Sequence, residues 1–201
     1  KSEVIKEYFH NFDIYHSDLQ IDMRNGKIKH INKKSPSWIV DLIDTGDSTM
    51  TGGRIKRLKS FVGNETFMMT YGDGVADVDV SKIVEFHKAH GKLATITAVR
   101  PPARFGGLEF DGDQIISFRE KPQVGEGWIN GGFMVLEPEV FDYIEGDETV
   151  FEASPLENLS KDGQLMAYKH EGFWQPMDTL REKQLIENLW KSGNAPWKVW
   201  R

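Results

Sequence analysis

Asp73 lies between two glycines in Tyr71-Gly72-Asp73-Gly74, where an apolar run of buried-strand type, residues 66–71, comes to an end. Glycine on either side removes the Cβ atoms that would keep a phosphate or sugar off the backbone, and a carboxylate is a hard oxygen ligand suited to Mg²⁺. Asp178 arrives from a distant part of the chain, in Phe173-Trp174-Gln175-Pro176-Met177-Asp178-Thr179, just ahead of the last helical pattern. Mg²⁺ is commonly held by one or two protein carboxylates together with substrate phosphates, so Asp73 and Asp178 can complete one ion site. Each also has a plainer use, Asp73 as a turn or helix-capping residue and Asp178 as an N-cap.

Other residues could bind what the metal would activate. In Arg119-Glu120-Lys121-Pro122, the proline ends a strand and presents Glu120 and Lys121 there. Lys121 is a point charge for a phosphate, and Glu120 can accept from sugar hydroxyls. Paired glycines in Phe105-Gly106-Gly107 and Asn130-Gly131-Gly132 permit close approach, and Asn130 offers both a donor and an acceptor. The loop TGDSTMTGGR, residues 45–54, can wrap a base or phosphate with backbone amides and hydroxyls at a helix start, with Arg54 as a cation. It can equally be a capped surface loop.

Three further patterns have simpler explanations. Asp77-Val78-Asp79 has the Asp-x-Asp form of a metal-dependent glycosyltransferase, but it lies past the strand end, where capping of the next helix accounts for it. His87 and His90 could ligate a metal; on the lysine-rich end of a helix they read as surface residues complementing the dipole. Asp111-Gly112-Asp113 reads as a hairpin turn, not a calcium loop.

The elements that must position these residues alternate. An amphipathic helix carries Val4, Ile5, Tyr8, Phe9 and Phe12, and a hairpin over residues 19–32 turns at Asn25-Gly26. Residues 37–44 read as a strand, residues 54–62 as a helix, 66–71 as a strand, 81–90 as a helix and 93–99 as a strand. Such βαβ units predict a parallel sheet covered on both faces. Further on, residues 108–110 and 114–118 form a hairpin, 129–136 a strand, 138–144 and 154–161 helices, and 165–168 a short strand. A last helix starts near Thr179, with Leu185, Ile186, Leu189 and Trp190 facing inward. With no internal repeat and no linker, residues 1–201 are expected to form one α/β domain elaborated around a sugar-sized pocket.

Composition excludes several classes. A net charge of -6 without a broad basic cluster argues against a nucleic-acid partner. No apolar stretch is long enough for a bilayer span, so no membrane partner is expected. The absence of cysteine rules out disulfides and thiolate metal sites, and fits a cytoplasmic location.

In their order, the segments DTGDSTMTGGRIKR (44–57), TYGDGVADVDV (70–80), FHKAHGKLATITA (86–98), RFGGLEF (104–110), SFREKP (117–122), INGGFMVLEP (129–138) and GFWQPMDTLREK (172–183) are spread from residue 44 to residue 183. Together they resemble the sugar-1-phosphate nucleotidyltransferases, and TGDSTMTGGR and FWQPMDT point to the cytidylyl-transferring branch. The resemblance implies a Rossmann-like nucleotidyltransferase fold, a mainly parallel mixed sheet flanked by helices, with a β-hairpin and sugar-binding elaboration. It implies Mg²⁺ as cofactor, CTP and glucose 1-phosphate as substrates, CDP-glucose feeding deoxysugar and O-antigen synthesis, and a homo-oligomer.

By the same resemblance Asp73 and Asp178 hold the metal and Gly72 lies against the nucleotide. Thr49 and Arg54 contact the nucleotide, and Gly52 and Gly53 let the base approach. Lys121 contacts the sugar phosphate, and Glu120 and Asn130 take the glucose hydroxyls, with Gly106 and Gly131 beside them. The family opens with a strand and a glycine-rich phosphate loop that these residues lack, so the chain is expected to begin inside the fold, without its first βα unit. Without that loop, a non-catalytic sugar-nucleotide-binding remnant is the alternative to an enzyme.

Overall fold

The computed structural model describes residues 1–33, 36–101, 107–119 and 127–200. Their contacts fall into two compact units, Lys1–Asp47 and Ser48–Arg201. The first holds helices α1 (Ser2–His10) and α2 (Phe12–Tyr15) and the antiparallel hairpin β1 (Asp18–Asp22) and β2 (Lys27–Ile31). The hairpin is where its Asn-Gly signal puts it, but the loop is longer than a two-residue turn. Asp22 pairs with Lys27, and Gly26, at φ 71°, donates its N–H to the Asp22 carbonyl at 2.8 Å. The strand expected over residues 37–44 does not form. No described strand hydrogen-bonds to it, and Trp38 and Ile39 are largely exposed. An apolar run becomes a strand only where another backbone takes its donors and acceptors. The amphipathic pattern of α1 is likewise a helix without a buried residue.

The second unit carries α3 (Thr51–Arg57), α4 (Lys59–Val62), β3 (Phe67–Met69), β4 (Gly74–Ala76), α5 (Val80–His90) and β5 (Ala94–Val99). It continues with β6 (Gly107–Asp111), β7 (Gln114–Arg119), β8 (Ile129–Leu136), a 3₁₀ helix (Pro138–Tyr143), α6 (Ser154–Lys161), β9 (Leu165–His170), β10 (Trp174–Pro176) and α7 (Leu180–Lys191). The central sheet has the order β3-β8-β5-β9. Its β5–β9 pair is parallel, while β8 runs antiparallel to both β3 and β5. The sheet is mixed, as expected, but its ladders are not mainly parallel. Three strands share a direction, but the inserted β8 turns two of the three ladders antiparallel. Apolar patterning could not reveal this, because it reports which faces are buried and not which way a strand runs.

Both faces of this sheet are covered. Along β8, Met134 and Leu136 enter a core with Ile55, Ala94, Val140, Phe141, Phe151 and Leu159, while Val135, between them, packs with Val78 and Ile83. That alternation is the period-two signature of a strand between two layers. Helix α5 is bounded as its residues dictate. The Asp79 carboxylate accepts from Lys82 N at 3.2 Å at the start, and Gly91 takes the left-handed conformation at φ 61° at the end. On α7 only Ile186 is buried; Leu185 and Trp190 are about half exposed, against the expectation that both face inward.

His87 also departs from expectation. It is 1% exposed and not a surface residue, because α5 turns it into the sheet. Its Nδ1 lies 2.8 Å from Thr95 Oγ1 and its Nε2 3.0 Å from Glu137 Oε1. His90 Nδ1 accepts from Lys92 N at 2.9 Å, so the neutral ring carries its proton on Nε2 and donates it to Thr95 Oγ1 at 2.7 Å. Burial, then the neighbouring His87 and Lys92, hold the His90 pKa below its ordinary value of 6.5. A histidine with a depressed folded pKa contributes stability that is complete above the unfolded value and is lost as pH falls through the folded one. Thermal melts should therefore show the midpoint dropping on acidification below about pH 6.5, with a shallower drop in His90→Asn.

Candidate active site

Two of the shortest strands bring the aspartates together. β4 and β10 pair antiparallel with Gly74 opposite Pro176, Val75 opposite Gln175 and Ala76 opposite Trp174. One step further, Met177 N donates to the Asp73 carbonyl at 2.7 Å. Asp73 and Asp178 thus stand at the same end of one ladder, and both side chains are exposed there.

Asp73 sits in a turn, as its plainer reading has it, but helix capping falls to other residues. Thr179 is the N-cap of α7, accepting from Glu182 N at 3.2 Å while its own N–H reaches Glu182 Oε2 at 2.9 Å, a full capping box. Asp79 caps α5, and a strand rather than a helix follows Asp73. Of the Asp-x-Asp pair, Asp79 is that cap, while Asp77 Oδ1 is buried without a hydrogen-bond partner among the described residues. Asp77 Oδ1 lies 2.9 Å from His170 Nε2, although that ring nitrogen hydrogen-bonds the Phe173 carbonyl at 3.3 Å instead.

Asp73 and Asp178 suit Mg²⁺ by chemistry. They are two hard oxygen donors just outside the paired ends of β4 and β10, at an exposed place that phosphate oxygens and water could reach. Among the described residues, no atom beyond its chain neighbours lies within 4 Å of where a Cβ on Gly72 would stand. Among the described residues there is no group of three or more histidine, cysteine, aspartate or glutamate side chains that could hold a metal by itself.

Around this end the protein is knitted to β8. The Trp174 indole donates to the Gly131 carbonyl at 2.9 Å. The Tyr71 ring lies against Gly132, where an added Cβ would come within 2.6 Å of it, and Gly132 has φ 83°. A Cβ on Gly131 would meet Val99 at 2.7 Å. The space freed by both glycines is thus filled by the protein's own side chains. Asn130 is held in one orientation, with Oδ1 accepting from Gly132 N at 2.9 Å and Nδ2 donating to Tyr71 OH at 3.3 Å. Tyr71 in turn donates to Glu152 Oε1 at 2.6 Å. Burial, then that hydrogen bond and the Glu152 charge, push the Tyr71 phenol far above its ordinary pKa, with the nearby Asp73 charge adding to it.

Residues 48–54 form a second cluster. Met50 N donates to the Asp147 carbonyl at 2.8 Å, and Gly52 N and Gly53 N to the Thr149 carbonyl at 2.9 and 3.3 Å. These amides, read in the sequence as available to a base or phosphate, are used to seat the start of α3 on the 147–149 loop. Gly52 and Gly53 are buried for the same reason, and Thr49 is buried beside them. Arg57 grips Asp147 through Nε at 3.0 Å and Nη2 at 2.5 Å, holding that carboxyl below its ordinary range. Arg54 is half-buried on the same helix. Gly53→Ala would place a Cβ 2.5 Å from Asp147 Cα, a backbone atom that cannot swing away. Denaturant unfolding should show a loss of about 1–3 kcal/mol from this one methyl group.

Gly106, Glu120 and Lys121 lie outside the described residues. Two residues of this neighbourhood escaped the sequence reading as functional. Tyr71 was legible only as a strand end. Glu152, before α6, looks like any acidic residue near a helix start, and no local pattern ties it to Tyr71.

Comparison with known proteins identifies the family. The family model described as Nucleotidyl transferase matches residues 39–186. Glucose-1-phosphate cytidylyltransferase of Salmonella typhi is 52% identical over 201 residues, all of this chain and 78% of that protein. Mannose-1-phosphate guanylyltransferase catalytic subunit beta of Xenopus tropicalis is 35% identical over 126 residues, 58% of this chain and 35% of that one. In fold, the crystal structure of HddC from Yersinia pseudotuberculosis superposes with a TM-score of 0.52 at 23% identity, over 69% of this chain and 61% of that structure. Among the described residues no helix is long and apolar enough to cross a membrane. With a family match over most of its length and a relative sharing half its residues from end to end, the chain belongs to the nucleotidyl transferase family.

Proposed function

We propose that the protein transfers a cytidylyl group from CTP to α-D-glucose 1-phosphate, giving CDP-glucose and pyrophosphate. The observation that carries a metal-assisted transfer is the β4–β10 ladder, which delivers Asp73 and Asp178 to one open strand end. The choice of CTP and glucose 1-phosphate is supported by the name of the relative that is 52% identical across the whole chain. A phosphate oxygen of the sugar phosphate attacks the α-phosphorus in line. A new P–O bond forms as the α–β anhydride bond breaks and pyrophosphate leaves, so no covalent intermediate with the protein is needed.

Positioning and charge neutralisation carry such a reaction. Mg²⁺ held by Asp73 and Asp178 would offset negative charge on the phosphoryl oxygens. Gly72 leaves room for the nucleotide against the strand end, and residues 49–54, with Arg54, flank it. Asn130 and Glu120 take the sugar hydroxyls, with Gly106 and Gly131 beside them, while Lys121 contacts the phosphate of the sugar phosphate. The test is pyrophosphate release by the full-length protein with Mg²⁺, glucose 1-phosphate and each nucleoside triphosphate in turn. Release is expected with CTP, and its loss on chelation. Release only with another nucleotide would overturn the choice of CTP, and dependence on a preformed sugar nucleotide would overturn the reaction class.

A further inference from the structure

Glu152 belongs to none of the motifs above, yet both of its carboxylate oxygens are used. Oε1 accepts from Tyr71 OH and Oε2 from Thr51 Oγ1, each at 2.6 Å. The hydrogens along this chain of contacts follow from chemistry. Thr51 Oγ1 accepts from Phe151 N at 2.9 Å, so its single hydrogen goes to Glu152. The single hydrogen of Tyr71 also goes to Glu152, which leaves its oxygen to accept from Asn130 Nδ2. Asn130 Oδ1 is fixed on Gly132 N, and its second Nδ2 hydrogen is the one left for a ligand hydroxyl. A carboxylate accepting from both hydroxyls sets the direction of each.

We infer that Glu152 is a positioning residue for the transfer reaction, fixing the direction of the Tyr71 hydroxyl and, through it, the orientation of the Asn130 carboxamide toward the sugar phosphate. The assignment rests on the role proposed above for Asn130. Thr51, in the first turn of α3, anchors the other oxygen, so one carboxylate ties the helix start to the strand end that bears Asp73. Replacing Glu152 by glutamine puts an N–H donor where one of two hydroxyls now donates. If it faces Tyr71, that hydroxyl must reverse and point its hydrogen at Asn130, whose amide then has to turn over or lose its contact.

The experiment measures initial rates in the full-length protein, varying glucose 1-phosphate at saturating CTP and then the reverse. Glu152→Gln is expected to raise KM for glucose 1-phosphate about tenfold, the scale of one lost hydrogen bond, with KM for CTP and kcat little changed. Tyr71→Phe keeps the ring on Gly132 but severs the relay, so it should give a similar rise. The double variant should be no worse than Tyr71→Phe alone, because both act through one path. A Glu152 that merely held the fold together would lower the melting temperature and kcat without a selective KM change, which overturns the inference. So would additive effects in the double variant. Should Glu152→Gln fail to fold, Tyr71→Phe decides, and an unchanged KM there refutes the relay. Wild-type protein that releases no pyrophosphate sinks the proposed reaction itself, whereas active wild type with unaffected variants sinks only the relay.

Discussion

Asp73→Asn and Asp178→Asn, each made in the full-length protein, should lower kcat by about 10²–10³-fold while leaving the fold intact, as expected when a preorganised charge at the reacting phosphate is lost. Asparagine keeps the size and one acceptor of aspartate, so what disappears is the charge that would hold Mg²⁺. The fold should not suffer, because the contact that closes the ladder uses the Asp73 carbonyl and not its carboxylate. Both side chains are exposed and neither caps a helix, so stability should stay within about 0.5 kcal/mol. Pyrophosphate release and thermal melts on the same preparations separate the two effects. Near-normal turnover in both variants would remove the metal assignment.

Phe141→Ala should have the largest effect on stability. Phe141 is 1% exposed in the 3₁₀ helix behind the sheet and stacks on Phe67, the first residue of β3, with ring centroids 5.5 Å apart. Truncation leaves a ring-sized void in a core that also holds Phe151, Leu159 and Leu136, all fully buried. Such a change costs about 3–5 kcal/mol. For a chain of this size, that is a fall of about 6–20 °C in melting temperature. Since β3 leads directly into Tyr71 and Asp73, residual activity should be lost at lower temperature than in the wild type. A midpoint within a degree of wild type would mean that the core around Phe141 closes over the gap.

What was legible in the sequence follows from how much of each element is encoded locally. Strand β8 and helix α6 have the bounds their patterns predict, because eight residues of apolar alternation or amphipathic spacing, with Pro155 in the first turn of α6, state both type and limits. Helix α5 starts one residue before the expected 81 and ends at His90 as expected. By contrast, β4 and β10 have three residues each, too few to show a period, and Pro176 argues against a strand. Yet their pairing is what joins Asp73 to Asp178. The two aspartates were found as residue types at strand and helix ends, while their juxtaposition is a property of the tertiary pairing alone. The glycines teach the reverse lesson. Gly52, Gly53, Gly131 and Gly132 mark close approaches, as their type indicates, but the approaching group in each case is the protein's own backbone or side chain. At Gly72, by contrast, no described atom beyond its chain neighbours lies within 4 Å of where a Cβ would stand.

The most direct test is anomalous diffraction from crystals of the full-length protein grown with CTP and Mn²⁺ in place of Mg²⁺. A manganese peak within bonding distance of both the Asp73 and Asp178 carboxylates, with a phosphate oxygen completing its coordination, is the expected result. A peak held by other side chains, with either aspartate turned away, would contradict it.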